Sequence, residues 1–188
     1  MWTAIVPLKL GGPRKSRLSA RLSPGERERL ADALFARVLA VLAGHPDVGE
    51  VVVLAPADPG TPQARWHPDG GGGLNAELEA LRRSLAGHNL LVVHADLPFL
   101  GPDDVSALLK AAADGIAVAG DRAETGTNAL AVRAGRPLPF AFGPGSLAAH
   151  LAAAGPAARL VARPGLAFDI DTPDDLDAAL ARGFCPGG

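Results

Sequence analysis

Short runs of Val, Ile and Leu alternate with helical patterns along this chain. Such alternation is typical of strand-helix repeats, which build a mostly parallel sheet with helices on both faces. The predicted strands are Trp2–Val6, Val48–Ala55, Leu90–Ala95, Ile116–Ala119, Thr127–Val132 and Arg159–Ala162. Because no long linker or repeat interrupts the pattern, we expect a single α/β domain over residues 1–188 with a twisted sheet.

The first long helix is marked at both ends by its own sequence. Ser23 is a favourable N-cap, Pro24 suits the first helical position, and Glu26 completes a capping box. Apolar residues then recur every three or four positions, at Leu30, Leu34, Val38, Val41 and Leu42. Gly44 and Pro46 predict the end of the helix, so one apolar face of it should cover the sheet.

The remaining helices follow loops rich in proline and glycine. Residues 60–73 are dense in both and predict a surface loop before a helix that begins near Leu74. Two more helices are expected over Asp103–Ala113 and Pro173–Leu180.

Charge and hydropathy exclude several classes of protein. The chain has 18 Lys and Arg against 20 Asp and Glu, for a net charge of −2, so no global field attracts nucleic acid or an anionic membrane. No apolar run reaches the roughly 18 residues of a membrane span. We therefore expect a cytoplasmic protein with a small-molecule ligand. The oligomeric state is left open, with a homodimer as one alternative.

A basic, glycine-containing loop follows the first strand. Residues 9–17 contain four cations, and Gly11 and Gly12 allow close approach of backbone N–H groups to phosphate oxygens. Ligands of parallel sheets bind beyond the carboxyl ends of strands, where this loop lies. Lys9, Lys15 and Arg17 are the best candidates for binding a triphosphate, although a solvated basic turn is the simpler alternative.

Three aspartates form a candidate site for Mg²⁺. Asp96 ends an apolar strand, while Asp169 and Asp171 are two residues apart and project to one side of an extended chain. Carboxylates on one face repel unless a cation lies between them or one is protonated. Helix capping is the alternative role for Asp96, and for Asp171 or Thr172 before the last helix.

Weaker candidates lie in small-residue stretches and at histidines. Residues 126–130 and 142–146 could receive a carboxylate or phosphate, and Asn75 could hydrogen-bond a base or cap its helix. His150, on a predicted helix, could face the same site or pack in the core. The other histidines considered are interpreted as structural or surface residues: His67, His88 and His94.

The order and spacing of these motifs resemble the 2-phospho-L-lactate guanylyltransferases of coenzyme F420 biosynthesis, a branch similar to molybdenum cofactor guanylyltransferase. The matching pieces are Val6–Lys9, Lys15–Leu18, Leu74–Asn75, Asp96–Pro98, Gly126–Leu130, Phe142–Gly143, Ser146, His150 and Asp169–Pro173. The resemblance implies a Rossmann-like nucleotidyltransferase fold of the GT-A type.

The same resemblance implies substrates and roles. GTP would be the nucleotide donor, 2-phospholactate or phosphoenolpyruvate the acceptor, and pyrophosphate the leaving group. Asp96, Asp169 and Asp171 would hold Mg²⁺, while Thr127, Gly143 and Ser146 would receive the acceptor. Two alternatives stay open: a nucleotidyltransferase for a sugar phosphate or molybdopterin, and a nucleotide-binding module without turnover.

Overall fold

The computed structural model describes residues 1–10 and 15–186. Its strands are β1 (Trp2–Pro7), β2 (Val48–Ala55), β3 (Arg65–Pro68), β4 (Asn89–Val93), β5 (Ile116–Gly120), β6 (Thr127–Val132) and β7 (Ala158–Leu160). Its α-helices are α1 (Pro24–Ala43), α2 (Leu74–Ser84), α3 (Pro102–Ala111), α4 (Ser146–Ala154), α5 (Pro164–Ala167) and α6 (Pro173–Ala181). Short 3-10 turns occupy Ser16–Leu18 and Gly155–Ala157.

The described strands form one sheet in the order β3-β2-β1-β4-β6-β5-β7. Neighbouring strands are parallel except at β6, which is antiparallel to both β4 and β5. The predicted mostly parallel α/β sheet is therefore confirmed. Because β6 runs the other way, its first residue, Thr127, lies at the edge where β4 and β5 end.

Alternation along the strands divides the core between the two faces of the sheet. In β1, Ala4 and Val6 pack in a cluster with α1 and α3, whereas Ile5 packs on the other face with α2 and α4. The five central strands, β2, β1, β4, β6 and β5, supply both layers in this way, as expected for a sheet buried on both sides. A third cluster joins α1 to α6 through Leu34, Phe168 and Leu176, and it anchors the chain before α6.

The capping signals at the first helix act as expected. The Ser23 hydroxyl accepts from the Glu26 amide, and the Glu26 carboxylate accepts from the Ser23 amide. The helix ends at Ala43, next to Gly44. The buried residues of its inner face include Leu30, Leu34, Val38 and Leu42, all of which the periodicity identifies.

The prediction of an unbroken loop over residues 60–73 is wrong. Arg65–Pro68 forms the edge strand β3, paired with β2. Its four residues, three of them polar or proline, show no apolar alternation because neither face of this edge strand is buried. The short helix α5 was also missed, and the other elements with predicted bounds differ from them by up to two residues.

Across residues 1–10 and 15–186, none of the helices combines the length and apolar character that crossing a membrane requires.

Candidate active site

The carboxyl ends of β1, β2 and β4 border a cavity of about 540 Å³. This is the edge at which parallel sheets bind ligands, and the volume is within the roughly 300–1,000 Å³ typical of small-molecule sites. The chain after β1 contributes Lys9, the first 3-10 turn and its N-cap contribute Arg17 and Lys15, and the start of α2 contributes Leu74. The end of β4 contributes His94, Ala95 and Asp96, and the segment before α6 contributes Asp171.

Three aspartates meet at this edge. Asp96 follows β4, and Asp169 and Asp171 lie on either side of the fully buried Ile170. The Ile170 amide donates to the Asp96 carbonyl at 3.3 Å, which holds the two segments side by side. One carboxylate oxygen from each aspartate lies within 4.8 Å of the others. The predicted convergence of three acidic side chains distant in sequence is present in the fold.

The ammonium of Lys15 lies among these acidic groups. Its Nζ atom is 2.7 Å from Asp96 Oδ2, 3.0 Å from Asp171 Oδ1 and 2.6 Å from the Ile170 carbonyl oxygen. Burial acts to lower the pKa of Lys15, but the charges and hydrogen bonds of both aspartates outweigh it and raise the pKa above its ordinary value. Lys15 is therefore charged, and it neutralises part of the acidic cluster.

The aspartates are electrostatically unequal. Burial raises the pKa of Asp169 to about 6, and the neighbouring charges of Asp96 and Asp171 add to the effect. For Asp96, burial acts in the same direction, but Lys15 more than compensates and holds the pKa below its usual range. The negative charge of Asp169 is thus the one that a bound cation would stabilise most.

The chemistry of the cluster fits a hard divalent cation. Asp96 Oδ1 is buried and has no hydrogen-bond partner within residues 1–10 and 15–186. A buried carboxylate oxygen without a partner carries a substantial desolvation penalty, which coordination of a cation would remove. Oxygen donors on well-packed chain segments are the ligands that Mg²⁺ uses in proteins. The acidic cluster can therefore hold a metal ion.

The predicted triphosphate-binding cations lie at the same cavity. Lys9, Lys15 and Arg17 all contribute to its lining. Arg17 Nη1 is 3.5 Å from Asp171 Oδ2, and its side chain is 75% exposed, so it can turn toward a ligand. Residues 11–14, which include the two glycines singled out from the sequence, lie outside the described residues.

Two residues fix the aspartate-bearing segment: Asn128, from the stretch 126–130 that was considered for binding a carboxylate or phosphate, and Asp175, which the sequence did not indicate. The buried Asn128 amide donates to the carbonyls of Leu166 at 3.0 Å and Ala167 at 3.3 Å, and it contacts Asp169 Oδ1 at 3.5 Å. The Asp171 amide donates to Asp175 Oδ2 at 3.0 Å. Nothing in the spacing of Asn128 and Asp169 reveals this contact, because it depends on the direction of β6.

The N-cap of the last helix is Thr172 and not Asp171. Its hydroxyl accepts from the Asp175 amide at 3.3 Å, and the Thr172 amide donates to Asp175 Oδ2 at 2.7 Å, so Thr172 is the N-cap of α6. The carboxylate of Asp171 is thereby left for the cavity.

The small-residue stretches form a second group of side chains, outside the lining of the cavity. Thr127 begins β6, and its hydroxyl is 2.9 Å from His150 Nδ1. His150 Nε2 accepts from the Ala141 amide at 3.0 Å, so the ring proton is on Nδ1 and is donated to Thr127. Ser146 begins α4, and the adjacent Leu147 amide donates to the Thr125 carbonyl at 3.2 Å. The predicted residues Thr127 and Ser146 are therefore linked through helix α4, which contacts the chain at the start of β6.

Gly143 and Asn75 complete this second group. Gly143 has a φ of 136°, a conformation that L side chains rarely adopt. Asn75 lies in the first turn of α2 behind an N-cap at Gly73, so the capping alternative for Asn75 is wrong. Its amide instead pairs with both backbone groups of Phe142, at 2.7 and 3.0 Å.

His94 lines the cavity beside Asp96, although the sequence analysis placed it among structural or surface histidines. Burial is the main cause that lowers the pKa of His94, so its ring is neutral at neutral pH. Its Nε2 atom is buried without a partner among the described residues, and its ring is 5.4 Å from the ring of Phe142. The available signal was its position two residues before Asp96.

Solved structures share this fold. A crystal structure from Desulfovibrio desulfuricans G20, described as that of a nucleotide-diphospho-sugar transferase, superposes with a TM-score of 0.79 at 16% identity, covering 96% of this chain and 86% of that chain. The 2-C-methyl-D-erythritol 4-phosphate cytidylyltransferase of Thermus thermophilus superposes with a TM-score of 0.58 at 22% identity, covering 97% of this chain and all of that chain. The fold is that of nucleotidyltransferases.

The fold is one that nucleotidyltransferases share, and sequence comparison supplies the family. Residues 2–184 match the protein family described as guanylyl transferase CofC like, and the chain belongs to that family. The phosphoenolpyruvate guanylyltransferase of Rubrobacter xylanophilus is 40% identical, over 96% of this chain and 94% of that protein. The phosphoenolpyruvate guanylyltransferase of Sphaerobacter thermophilus is 42% identical, over 93% of this chain and 90% of that protein.

Proposed function

We propose that this protein transfers GMP from GTP to phosphoenolpyruvate and releases pyrophosphate, as a guanylyltransferase of coenzyme F420 biosynthesis. The relatives in Rubrobacter and Sphaerobacter that match nearly the whole chain carry the name phosphoenolpyruvate guanylyltransferase. The alternative acceptor, 2-phospho-L-lactate, differs from phosphoenolpyruvate in geometry at one carbon and presents the same phosphate and carboxylate.

The observation that carries the proposal is the joint position of three carboxylates and Lys15 at one end of the sheet. Joining two polyanions demands charge neutralisation and alignment more than it demands a base. The acidic cluster supplies ligands for a divalent cation, and the basic side chains around it supply fixed positive charge. One cavity is lined by two of the aspartates, Asp96 and Asp171, and by Lys9, Lys15 and Arg17, which supports both assignments.

The transfer reaction requires no general base. An oxygen of the acceptor phosphate attacks the α-phosphorus of GTP, the bond from that phosphorus to the oxygen bridging to the β-phosphorus breaks, and pyrophosphate leaves with the electron pair. A phosphate monoester with a second pKa near 6 is mostly dianionic at neutral pH, so the attacking oxygen carries no proton. The side chains therefore position the reactants and offset charge.

Asp96, Asp169 and Asp171 are the residues that would hold Mg²⁺. When bound, the ion supplies positive charge at the triphosphate and polarises its oxygens. The raised pKa of Asp169 and the unpartnered oxygen of Asp96 support this assignment, since both indicate that the acidic cluster is short of positive charge.

Under this proposal, Lys15 pairs with the aspartates in the absence of a metal ion and with the triphosphate in its presence. Without a metal ion, its ammonium bridges Asp96 and Asp171. With a divalent cation bound to those carboxylates, the Lys15 ammonium would be free to pair with triphosphate oxygens instead. Lys9 and Arg17, which also line the cavity, contact the triphosphate as well. Thr127, Gly143 and Ser146 hold the acceptor.

The test is a screen of pyrophosphate release with purified protein and Mg²⁺. GTP, ATP and CTP are each combined with phosphoenolpyruvate, 2-phospho-L-lactate, 3-phosphoglycerate and sugar phosphates. Release is expected with GTP and phosphoenolpyruvate, and 2-phospho-L-lactate is the acceptor expected to compete with it. Release with a sugar phosphate only would replace the acceptor in this proposal, and no release with any pair would indicate a binding module.

A further inference from the structure

A buried segment without regular secondary structure leads to Gly143 and Ser146. In residues 138–142, Leu138, Phe140 and Phe142 are each 8% exposed or less, yet the segment pairs with no strand among the described residues. Backbone N–H and C=O groups in such a segment need partners, because an unpaired buried group is costly. The partners come from side chains rather than from a sheet.

One face of α2 supplies most of these partners. Asn75, Glu79 and Arg82 are spaced i, i+4 and i+7, which places them in a row along the helix, called here the polar row of α2. Asn75 pairs with the amide and the carbonyl of Phe142, at 2.7 and 3.0 Å. Glu79 Oε1 accepts from the Phe140 amide at 3.2 Å. Arg82 Nη1 donates to the Leu138 carbonyl at 2.5 Å.

The dimensions of the two elements agree. Residues 75–82 of a helix span about 10 Å, and residues 138–142 of an extended chain span about 13 Å. The helix and the segment run in opposite directions, so each step along the polar row meets every second residue of the segment. Glu79 also forms an ion pair with Arg82, which fixes the two side chains relative to each other.

The same helix borders the cavity at its other end. Gly73 and Leu74 are part of the cavity lining, immediately before Asn75. Helix α2 therefore touches the nucleotide cavity with its first residues and the segment before Gly143 with its polar row. His150 secures the segment from the opposite side through the Ala141 amide.

We propose that Asn75, Glu79 and Arg82 are positioning residues that set the acceptor-binding residues Gly143 and Ser146 relative to the nucleotide. This inference rests on the proposed function, because it takes the acceptor to lie at Gly143 and Ser146. It assigns Asn75 to the acceptor side through Phe142, and not to contact with the base. Loss of a member of the polar row then weakens acceptor use and leaves nucleotide affinity unchanged.

The variants are Asn75→Ala, Glu79→Ala and Arg82→Ala, with Arg83→Ala as the matched control. Arg83 is the next residue in the helix and is exposed, so its loss removes the same charge without touching the segment. Glu79→Gln keeps an oxygen that can accept from Phe140 and is expected to restore most of what Glu79→Ala loses. Asn75→Asp is nearly isosteric and replaces only the donor to the Phe142 carbonyl, so it serves if Asn75→Ala does not fold.

Three readouts separate positioning from general damage. The KM for phosphoenolpyruvate should rise roughly tenfold or more in the three alanine variants, since Gly143 and Ser146 lose contacts with the acceptor when the residues that support them are removed. The Kd for GTP, measured by calorimetry with Mg²⁺, should stay within about twofold of the unsubstituted protein. In the same three variants, hydrogen exchange should accelerate in a peptide covering residues 138–142. In the control Arg83→Ala, exchange in that peptide should stay unchanged.

The outcomes distinguish the two proposals. If the unsubstituted protein shows no turnover with phosphoenolpyruvate, the proposed function fails. If that protein is active and the alanine variants keep a normal acceptor KM, the positioning role fails. A rise in the Kd for GTP in Asn75→Ala, with a normal acceptor KM, would make Asn75 a nucleotide contact instead.

Discussion

The Nζ atom of Lys15 lies 2.7 Å from Asp96 Oδ2, and the same ammonium contacts Asp171 at 3.0 Å. A lysine thus occupies part of the space between carboxylates that a divalent cation would share. The two cations are alternatives for the same negative charge, and this competition leads to the first prediction.

Replacing Lys15 with methionine is expected to destabilise the metal-free protein, because Asp96 and Asp171 then repel without compensation. Breaking a partly buried ion pair of this kind should lower the free energy of unfolding by about 2–3 kcal/mol. Mg²⁺ without nucleotide should raise the melting temperature of Lys15→Met by more than it raises that of the unsubstituted protein. Thermal unfolding in EDTA and in MgCl₂ measures both effects.

Lys110→Met is the control for this experiment, because Lys110 is exposed at the end of α3. An equal Mg²⁺-dependent shift in Lys15→Met and in the unsubstituted protein would show that Lys15 does not compete with the ion. Lys15→Met should also bind GTP more weakly, since the triphosphate loses one of its charge partners.

Asp96→Asn is expected to reduce turnover more than 100-fold, because it removes a charged ligand at the point where the two anions meet. The measurement is the steady-state rate of pyrophosphate release at saturating substrates. Asp103→Asn, in the exposed first turn of α3, should retain nearly normal turnover. Near-normal turnover in Asp96→Asn would remove Asp96 from the set of catalytic metal ligands.

The raised pKa of Asp169 predicts a pH-dependent difference in stability. The folded protein holds this proton up to about pH 6, whereas the unfolded chain releases it near 3.8, so stability from this group is lost as pH rises between those values. Asp169→Asn mimics the protonated form. In EDTA it is expected to melt higher than the unsubstituted protein at pH 7.5 and to lose that advantage near pH 4.

Asp114→Asn, at an exposed position, is the control and should shift the melting temperature little at either pH. Asp169→Asn should also lose stabilisation by Mg²⁺, which separates a metal ligand from a carboxylate that is merely strained. An Asp169→Asn protein that melts lower at pH 7.5 in EDTA would contradict the electrostatic assignment.

Asn128→Ala is expected to weaken binding of a divalent cation roughly 10- to 100-fold, the usual effect of losing a residue that orients a ligand. Asn128 holds the carbonyls of Leu166 and Ala167 and so fixes the chain leading to Asp169. Mn²⁺ binding followed by electron paramagnetic resonance measures the affinity. Asn89→Ala, at the opposite end of the sheet, is the control, and equal affinities in the two variants would contradict the role of Asn128.

Much of the fold follows from local sequence signals. The alternation of apolar runs and the Ser23 capping box suffice for the sheet and for α1. The edge strand Arg65–Pro68 could not be predicted, because its stability comes from pairing with β2 and its own residues are mostly polar. The direction of β6 is likewise set by tertiary pairing, and this direction brings Thr127 and Asn128 to the site.

The candidate site, too, was predictable only in part. Convergence of Asp96 with Asp169 and Asp171 was predictable, because each lies where a strand or extended segment reaches one edge of the sheet. The place of Lys15 between them was not, since it depends on the left-handed backbone of that residue and on a tertiary contact with Asp96. The polar row of α2 was also invisible, because its partners are backbone groups more than 50 residues away.

The most direct test of the central claim is ³¹P NMR of the protein with GTP, phosphoenolpyruvate and MgCl₂. The expected result is a new pair of mutually coupled resonances from a phosphoanhydride joining GMP to the acceptor, together with pyrophosphate in equal amount. Both should be absent in Asp171→Asn. Unchanged resonances of GTP and phosphoenolpyruvate, or pyrophosphate released with free GMP and no coupled pair, would contradict guanylyl transfer at this site.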